Sequence, residues 1–270
     1  MNFCSLASGS SGNCQYIETK ESRFLIDAGQ TGKKIENLLG EIQVDPKSLD
    51  GILVTHEHFD HTSAVGVLAR RYGLKVFANE NTWLAMEKTV KKIPKSQQVV
   101  FETGKDLEYK DLKIETIPLF HDCVQGTGFI LQDKDTKIAM LTDTGWVSTS
   151  MLEKMAHADL YYIEANHDED LLRTGPYSFA LKQRIASNRG HLSNHHAASI
   201  LEKLLQKKKE HVLLGHLSTD NNDPLLAVRT IREDLARTNI HEGLDFTMEV
   251  AKPCEPSRIY LGKDQGWKYY

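Results

Sequence analysis

The sequence predicts an α/β protein, and three observations carry that reading. Short apolar runs of strand character alternate with stretches whose apolar residues recur at helical spacing. Several of the strand-like runs end on a lone His or Asp. No tandem repeat, low-complexity segment or long linker breaks the alternation. At 270 residues the chain is long enough to bury a substantial core, as one large domain or two small ones.

Taken in order, residues 3–6 and 15–17 read as two strands of a hairpin. They are joined by the Gly/Ser-rich turn Ala7-Ser8-Gly9-Ser10-Ser11-Gly12-Asn13-Cys14, whose small residues and free N–H groups could also cradle an anion. Residues 24–27 form a strand ending at the turn signal Ala28-Gly29. Thr31 caps a short helix carrying Ile35, Leu38 and Leu39 and stopped by Gly40. After a strand at 51–54, Val65, Leu68, Ala69 and Tyr72 mark a helix that Gly73 closes. A strand at 75–78 and a helix at 83–92, ended by Pro94, complete this half. Strands follow at 112–117, 137–142, 159–164 and 211–215. Ser193 caps a helix with the stripe Ala197, Ile200, Leu201, Leu204 and Leu205. Residues 225–235 form another helix, and 246–250 a closing strand.

The composition, 40% apolar and 26% charged, is that of an ordinary soluble domain. No run of 18 apolar residues spans a membrane, and the first residues lack the pattern of a signal peptide, so a cytoplasmic location is expected. Cys4, Cys14, Cys123 and Cys254 form no C-x-x-C pair and read as reduced thiols. The net charge of −4 advertises no polyanionic partner and excludes none. The lysines of 91–95 and 207–209 read as solvated patches.

The densest chemistry lies in Thr55-His56-Glu57-His58-Phe59-Asp60-His61, where four strong metal ligands fall within six residues directly after an apolar run. Imidazole nitrogens with a carboxylate suit zinc, iron, manganese or similar divalent ions. A helix would turn His56 and His58 about 200° apart, whereas a loop leaving a strand can wrap around an ion. Three later apolar runs each deliver one more group at the exit. The first leads to His121, the second to Asp143 and the third to His216. Cys123, two residues past His121, is the alternative to that histidine.

The pattern His-x-His-x-Asp-His after a strand, followed by these three single ligands in this order, resembles the metallo-β-lactamase superfamily. Ser8-Gly9-Ser10-Ser11-Gly12-Asn13, Ala165-Asn166-His167-Asp168 and Arg189-Gly190-His191-Leu192-Ser193-Asn194 further resemble its YycJ/WalJ/VicX group. The similarity runs along essentially the whole chain, with no β-CASP insertion. It implies a single domain, 1–270, folded as a four-layered αβ/βα sandwich. It also implies a DNA exonuclease acting from the 5′ end, related to ribonuclease Z.

That resemblance implies two divalent ions (zinc, manganese or iron) and a metal-bridging hydroxide that attacks phosphorus. His56, His58 and His121 are assigned to one ion, Asp60, His61 and His216 to the other, with Asp143 bridging and Asp60 orienting the water. His191, just before a helix, is the expected donor of a proton to the leaving alkoxide. Ser193 and Asn194 are expected to contact the same phosphate, and His167 to position substrate or support a ligand. His195 and His196 are read as mostly structural, and His157, His211 and His241 as carrying no signal. DNA, with RNA open, is the expected partner; no membrane and no obligate protein partner is expected. The alternatives are a carbonyl hydrolase on the same ions (a glyoxalase II-like thioesterase or a lactamase), a flavodiiron-type oxidoreductase, and a scaffold without metal. The missing export signal and the His191 motif weigh against the first. His58, where flavodiiron proteins carry Glu, weighs against the second, and the full ligand set against the third.

Overall fold

Short, mostly apolar runs at the N-terminus form an antiparallel meander, β1 (Asn2–Ala7), β2 (Cys14–Glu18) and β3 (Arg23–Ile26), in the computed structural model, which describes residues 1–262 and 265–268. The Gly/Ser turn folds around Asn13, whose side-chain oxygen accepts from Gly9 N–H at 2.9 Å while its amide donates to Gly9 O at 3.1 Å. Helix α1 (Gly32–Glu41) is capped by Thr31, which accepts from Lys34 N–H. Gly40 does not stop it: the helix runs on to Glu41 and is capped by Ile42, and the left-handed residue beyond is Gln43. Strand β4 (Gly51–Leu53), helices α2 (Phe59–Thr62) and α3 (Val65–Tyr72), and strand β5 (Lys75–Asn79) follow. Gly73 closes α3 with φ +71°. Helix α4 (Glu80–Val90) starts earlier than expected because Asn79 caps it, accepting from Thr82 N–H. Strands β6 (Gln98–Phe101), β7 (Leu107–Tyr109), β8 (Leu112–Leu119) and β9 (Gly126–Gln132) complete this stretch.

Strands β3, β4, β5 and β6 pair in parallel, and the next strands repeat that pattern. β10 (Lys137–Leu141), β11 (Leu160–Glu164), β12 (Glu210–Gly215) and β13 (Phe246–Val250) pair in parallel, with Ile138 beside Leu160, Leu160 beside His211 and Glu210 beside Phe246. Their runs are nearly continuous in apolar residues, as in strands covered on both faces: Ile138, Ala139, Ile163, Val212, Leu213 and Leu214 are fully buried. Parallel pairing needs crossovers. These run through α5 (Thr149–Met155), then α6 (Glu169–Thr174), α7 (Phe179–Ile185) and α8 (Asn194–Leu204), and finally α9 (Pro224–Arg237). The described chain ends with β14 (Ile259–Tyr260) and β15 (Trp267–Lys268).

The chain divides into two units. The first comprises residues 1–118, 123–136 and 252–270, and the second residues 119–122 and 137–251. In the first unit an eight-stranded sheet runs β15-β14-β1-β2-β3-β4-β5-β6, and β7 packs on it through edge-on contacts of Tyr109 with Phe24 and Phe77. Its core joins Leu25, Ile52 and Val76 of the sheet to Leu38, Leu68 and Met86 of the helices. Each such buried side chain contributes roughly 1.5–3 kcal/mol. In the second unit α8 and α9 pack together beside the parallel strands, and Ile200, Leu201, Leu204, Ile231 and Leu235 face inward. Among the described residues no helix is long and apolar enough to cross a membrane.

Candidate functional site

The first unit builds one donor cluster. After β4 the chain leaves the sheet as a loop, and His58 becomes the N-cap of α2, so that Asp60 and His61 lie in its short helical turn. The rings of His56 and His58 are 4.6 Å apart and those of His56 and His61 4.1 Å apart. His56 and His61 are buried, while the Asp60 side chain is 29% exposed. A buried carboxylate organises this loop. Asp27 accepts from Thr55 N–H at 2.8 Å, from the Thr55 hydroxyl at 2.7 Å and from His61 Nδ1–H at 2.7 Å. That bond leaves Nε2 of His61 as its outward nitrogen. The N-terminal turn braces the same loop: Asn13 N–H donates to Asp60 O at 2.8 Å, and Asn13 Nδ2 lies 3.1 Å from His61 Nε2. Gly29 packs so closely that a Cβ there would sit 1.6 Å from Asp60 O. Glu57 points elsewhere and accepts from Val124 N–H at 2.8 Å.

The second unit builds another cluster, at the carboxyl ends of its parallel strands. Asp143 follows β10, Glu164 ends β11 and His216 follows β12. His191 enters from the loop before α8. One ligand atom from each of these four residues lies within 4.8 Å of the others. His216 Nδ1 is 3.0 Å from Asp143 and 3.3 Å from Glu164. His121 joins this unit, with Nε2 3.9 Å from Asp143 Oδ1, its ring 4.9 Å from that of His191, and Nδ1 3.1 Å from Gly190 O. Asp27, Asp143 and His216 all adopt left-handed backbone, with φ of 58°, 56° and 54°, a conformation that turns the chain sharply at a strand end. Cys123 is buried and joins none of these clusters among the described residues.

His191 is the most specifically held group. Its Nδ1 lies 2.6 Å from Oε1 of the fully buried Glu164. Burial opposes charging of this imidazole, but the Glu164 carboxylate outweighs it and holds His191 above its ordinary value. Burial alone would raise Glu164, and His191 instead keeps it low. Burial lowers His121. Gly190 is required beside it, because a Cβ there would meet Ile185 O at 2.1 Å. The segments Ala165–Asp168 and His191–Asn194 run side by side: Asn166 N–H donates to Leu192 O, and Asn194 N–H to His167 O, both at 2.9 Å.

Ser193 and Asn194 are buried and engaged inside the protein. Ser193 caps α8 and donates to Glu169 at 2.8 Å, and Asn194 exchanges amide bonds with Asn222. His167 is buried, and its Nδ1 has no hydrogen-bond partner among the described residues. His195 pairs with Asp234, while His196 lines a cavity with His167 and His191. Two buried carboxylates escaped the sequence reading. Asp27 and Glu164 were visible only as the last, unexplained acidic residue of an otherwise apolar strand.

Residues 22–217 match the β-lactamase superfamily domain. The chain is 46% identical over 250 residues to the exodeoxyribonuclease WalJ of Streptococcus pneumoniae serotype 2 (strain D39 / NCTC 7466), covering 92% of this chain and 93% of that protein. It is 38% identical over 259 residues to the exodeoxyribonuclease YycJ of Bacillus anthracis, covering 96% and 98%. Among solved structures, the metallo-β-lactamase fold protein YhfI of Bacillus subtilis superposes with a TM-score of 0.69 at 17% identity, covering 95% of this chain and 99% of that one. The fold is therefore the α/β sandwich of the metallo-β-lactamase type, with two sheets flanked by helices. Its His/Asp clusters have the donor chemistry of divalent-metal sites. The chain belongs to the WalJ/YycJ group of the β-lactamase superfamily.

Proposed function

We propose that this chain is a metal-dependent phosphodiesterase, an exonuclease that degrades DNA from the 5′ end. The observation that carries the reading is identity of 46% and 38%, over more than nine-tenths of the chain, to two exodeoxyribonucleases. The superfamily match passes through segments of both units and supports reading 1–270 as one domain. Four cysteines, three of them buried, form no disulfide among the described residues, which fits a reducing cytoplasmic setting.

Two divalent ions per chain are proposed, drawn from zinc, manganese or iron, with His56, His58, Asp60, His61, His121, Asp143 and His216 as ligands. The donor chemistry of each cluster and the family supply the support. When bound, such ions make water a nucleophile near neutral pH and neutralise charge on phosphoryl oxygens. Asp60 orients the attacking water and takes its proton. The water oxygen bonds phosphorus, the P–O3′ bond breaks, and O3′ of the released nucleotide takes a proton from Nε2 of His191. Glu164 holds the other ring nitrogen and so fixes which nitrogen faces the leaving group. Ser193 and Asn194 serve by fixing the loop that carries His191, and His167 by lining the space beside it.

The test is end-labelled DNA and RNA incubated with the purified protein and each metal in turn. Stepwise loss from 5′-phosphorylated linear DNA, with closed circular DNA left intact, is expected. Turnover of thioesters or lactams without any nuclease activity would move the chain to the carbonyl hydrolases.

A further inference from the structure

A cavity of about 440 Å³ opens in the second unit beside His191, a size suited to one small ligand. Two short helices, α6 and α7, form its outer wall. Arg173 and Lys182 bring two cations to its lining, against the carboxylate Glu169, whose Oε1 is engaged by the Ser193 hydroxyl, and Arg173 is paired at 2.9 Å with the exposed Asp170, a surface ion pair that a phosphate can displace. The hairpin is cross-tied, since Lys182 Nζ donates to Arg173 O at 2.9 Å. Phe179, at the first position of α7, lines the cavity while 74% exposed, and α7 buries none of its residues. The Phe179 ring is therefore uncovered at the mouth of the cavity. The inner wall holds His167, 2% exposed, with its buried Nδ1 lacking a partner among the described residues. Burial keeps that imidazole down at about 4, so it is neutral at pH 7 and offers a hydrogen bond without charge.

We propose that this cavity is the subsite for the 5′-terminal nucleotide of the substrate. Its base stacks on Phe179, its 5′-phosphate is held by Arg173 and Lys182, and His167 contacts it from within. The proposal rests on the exonuclease reading, in which His191 serves the O3′ of the nucleotide being released. The occupant follows from the lining: two cations for a phosphate, a flat exposed ring for a base, and a volume that admits one nucleotide. Recognition of the terminal phosphate here would also tie cleavage to a free end.

The subsite is tested by binding, apart from catalysis. Chelator-treated protein is dialysed against labelled deoxyadenosine 5′-monophosphate, deoxyadenosine and inorganic phosphate. The monophosphate should bind best. Arg173→Ala/Lys182→Ala should weaken it by about tenfold or more, as expected for losing charged hydrogen bonds. Phe179→Ala should weaken the monophosphate and deoxyadenosine together but leave phosphate unchanged. In turnover, the double variant should lose the preference for a 5′-phosphorylated over a 5′-hydroxyl end, mainly through KM. Arg173 and Phe179 are exposed and Lys182 is half-buried, and an unchanged melting temperature confirms that the variants fold. Equal monophosphate binding by wild type and double variant, no binding by either, or phosphate binding as tightly as the nucleotide would each overturn the subsite. Nuclease activity without nucleotide binding sinks the subsite and leaves the function standing. Nucleotide binding without nuclease activity does the reverse.

Discussion

The donor clusters of the two units are assembled by opposite routes. In the first unit, His56, His58, Asp60 and His61 leave one strand in one loop, and the buried Asp27 pins that loop by three hydrogen bonds. In the second, Asp143, Glu164, His191 and His216 come from four separate places in the chain: the carboxyl edge of a parallel sheet aligns Asp143, Glu164 and His216, and the loop before α8 adds His191. The first cluster is a local loop with an internal brace, whereas the second is a property of strand register. The lesson is that a ligand set can be stabilised either by a neighbour that holds it or by the sheet that aligns it, and the two should fail differently.

Removing a ligand should have the largest effect. Elemental analysis of native protein should approach about two ions per chain. His58→Ala should lose most of one ion, while Asp143→Ala, in the proposed bridging position, should disturb both. If Asp143→Ala loses no metal at all, the two clusters do not serve one centre. Next is His191→Ala, which should keep its metal and fold while the rate on DNA drops roughly 10²–10⁴-fold. A nitrophenyl phosphodiester, whose leaving group needs little protonation, should slow far less. Equal slowing of both substrates, or loss of metal, would remove the acid role.

The brace should matter less than the groups it holds. Asp27→Asn keeps the shape but receives the His61 ring proton poorly, and a loss of about 10–100-fold in metal affinity or activity is expected. Activity indistinguishable from wild type would mean that the backbone contacts of Asn13 and Gly29 suffice. The smallest effect concerns acid stability. His167 stays neutral down to about 4 when folded, so between its unfolded value near 6.5 and that value the unfolded chain binds more protons. Stability should therefore fall as pH drops through that window and level off below it. His167→Asn should flatten the slope by on the order of 2 kcal/mol across it, measured by urea unfolding at several pH values.

The same contrast decides what the sequence disclosed. The 56–61 motif is legible because its ligands are neighbours in the chain, and the strand before it fixes their setting. Asp143 and His216 are legible because each ends an apolar run. Glu164 ends β11 in the same way, yet the expectation of a plain strand hid it, since nothing local says which acidic residue will face His191. Asp27, the last residue of the strand expected at 24–27, stayed hidden for a similar reason: its partners Thr55 and His61 are far along the chain. Helices α6 and α7 went unseen because they are short and α7 has no buried stripe to give a helical period. The start of α4 was missed because an Asn cap is a weak signal beside the apolar stripe that follows.

The parallel register of β10, β11 and β12 also bears on time. A loop motif closes over a few residues, but Glu164 and His216 lie more than fifty residues apart and meet only after the crossover through α8 has docked. Contacts of such sequence separation form late and slowly. A chain emerging from the ribosome therefore holds the 56–61 loop long before it has His191 set against Glu164. Refolding followed by hydrogen exchange should show β4 and α3 protected ahead of β12.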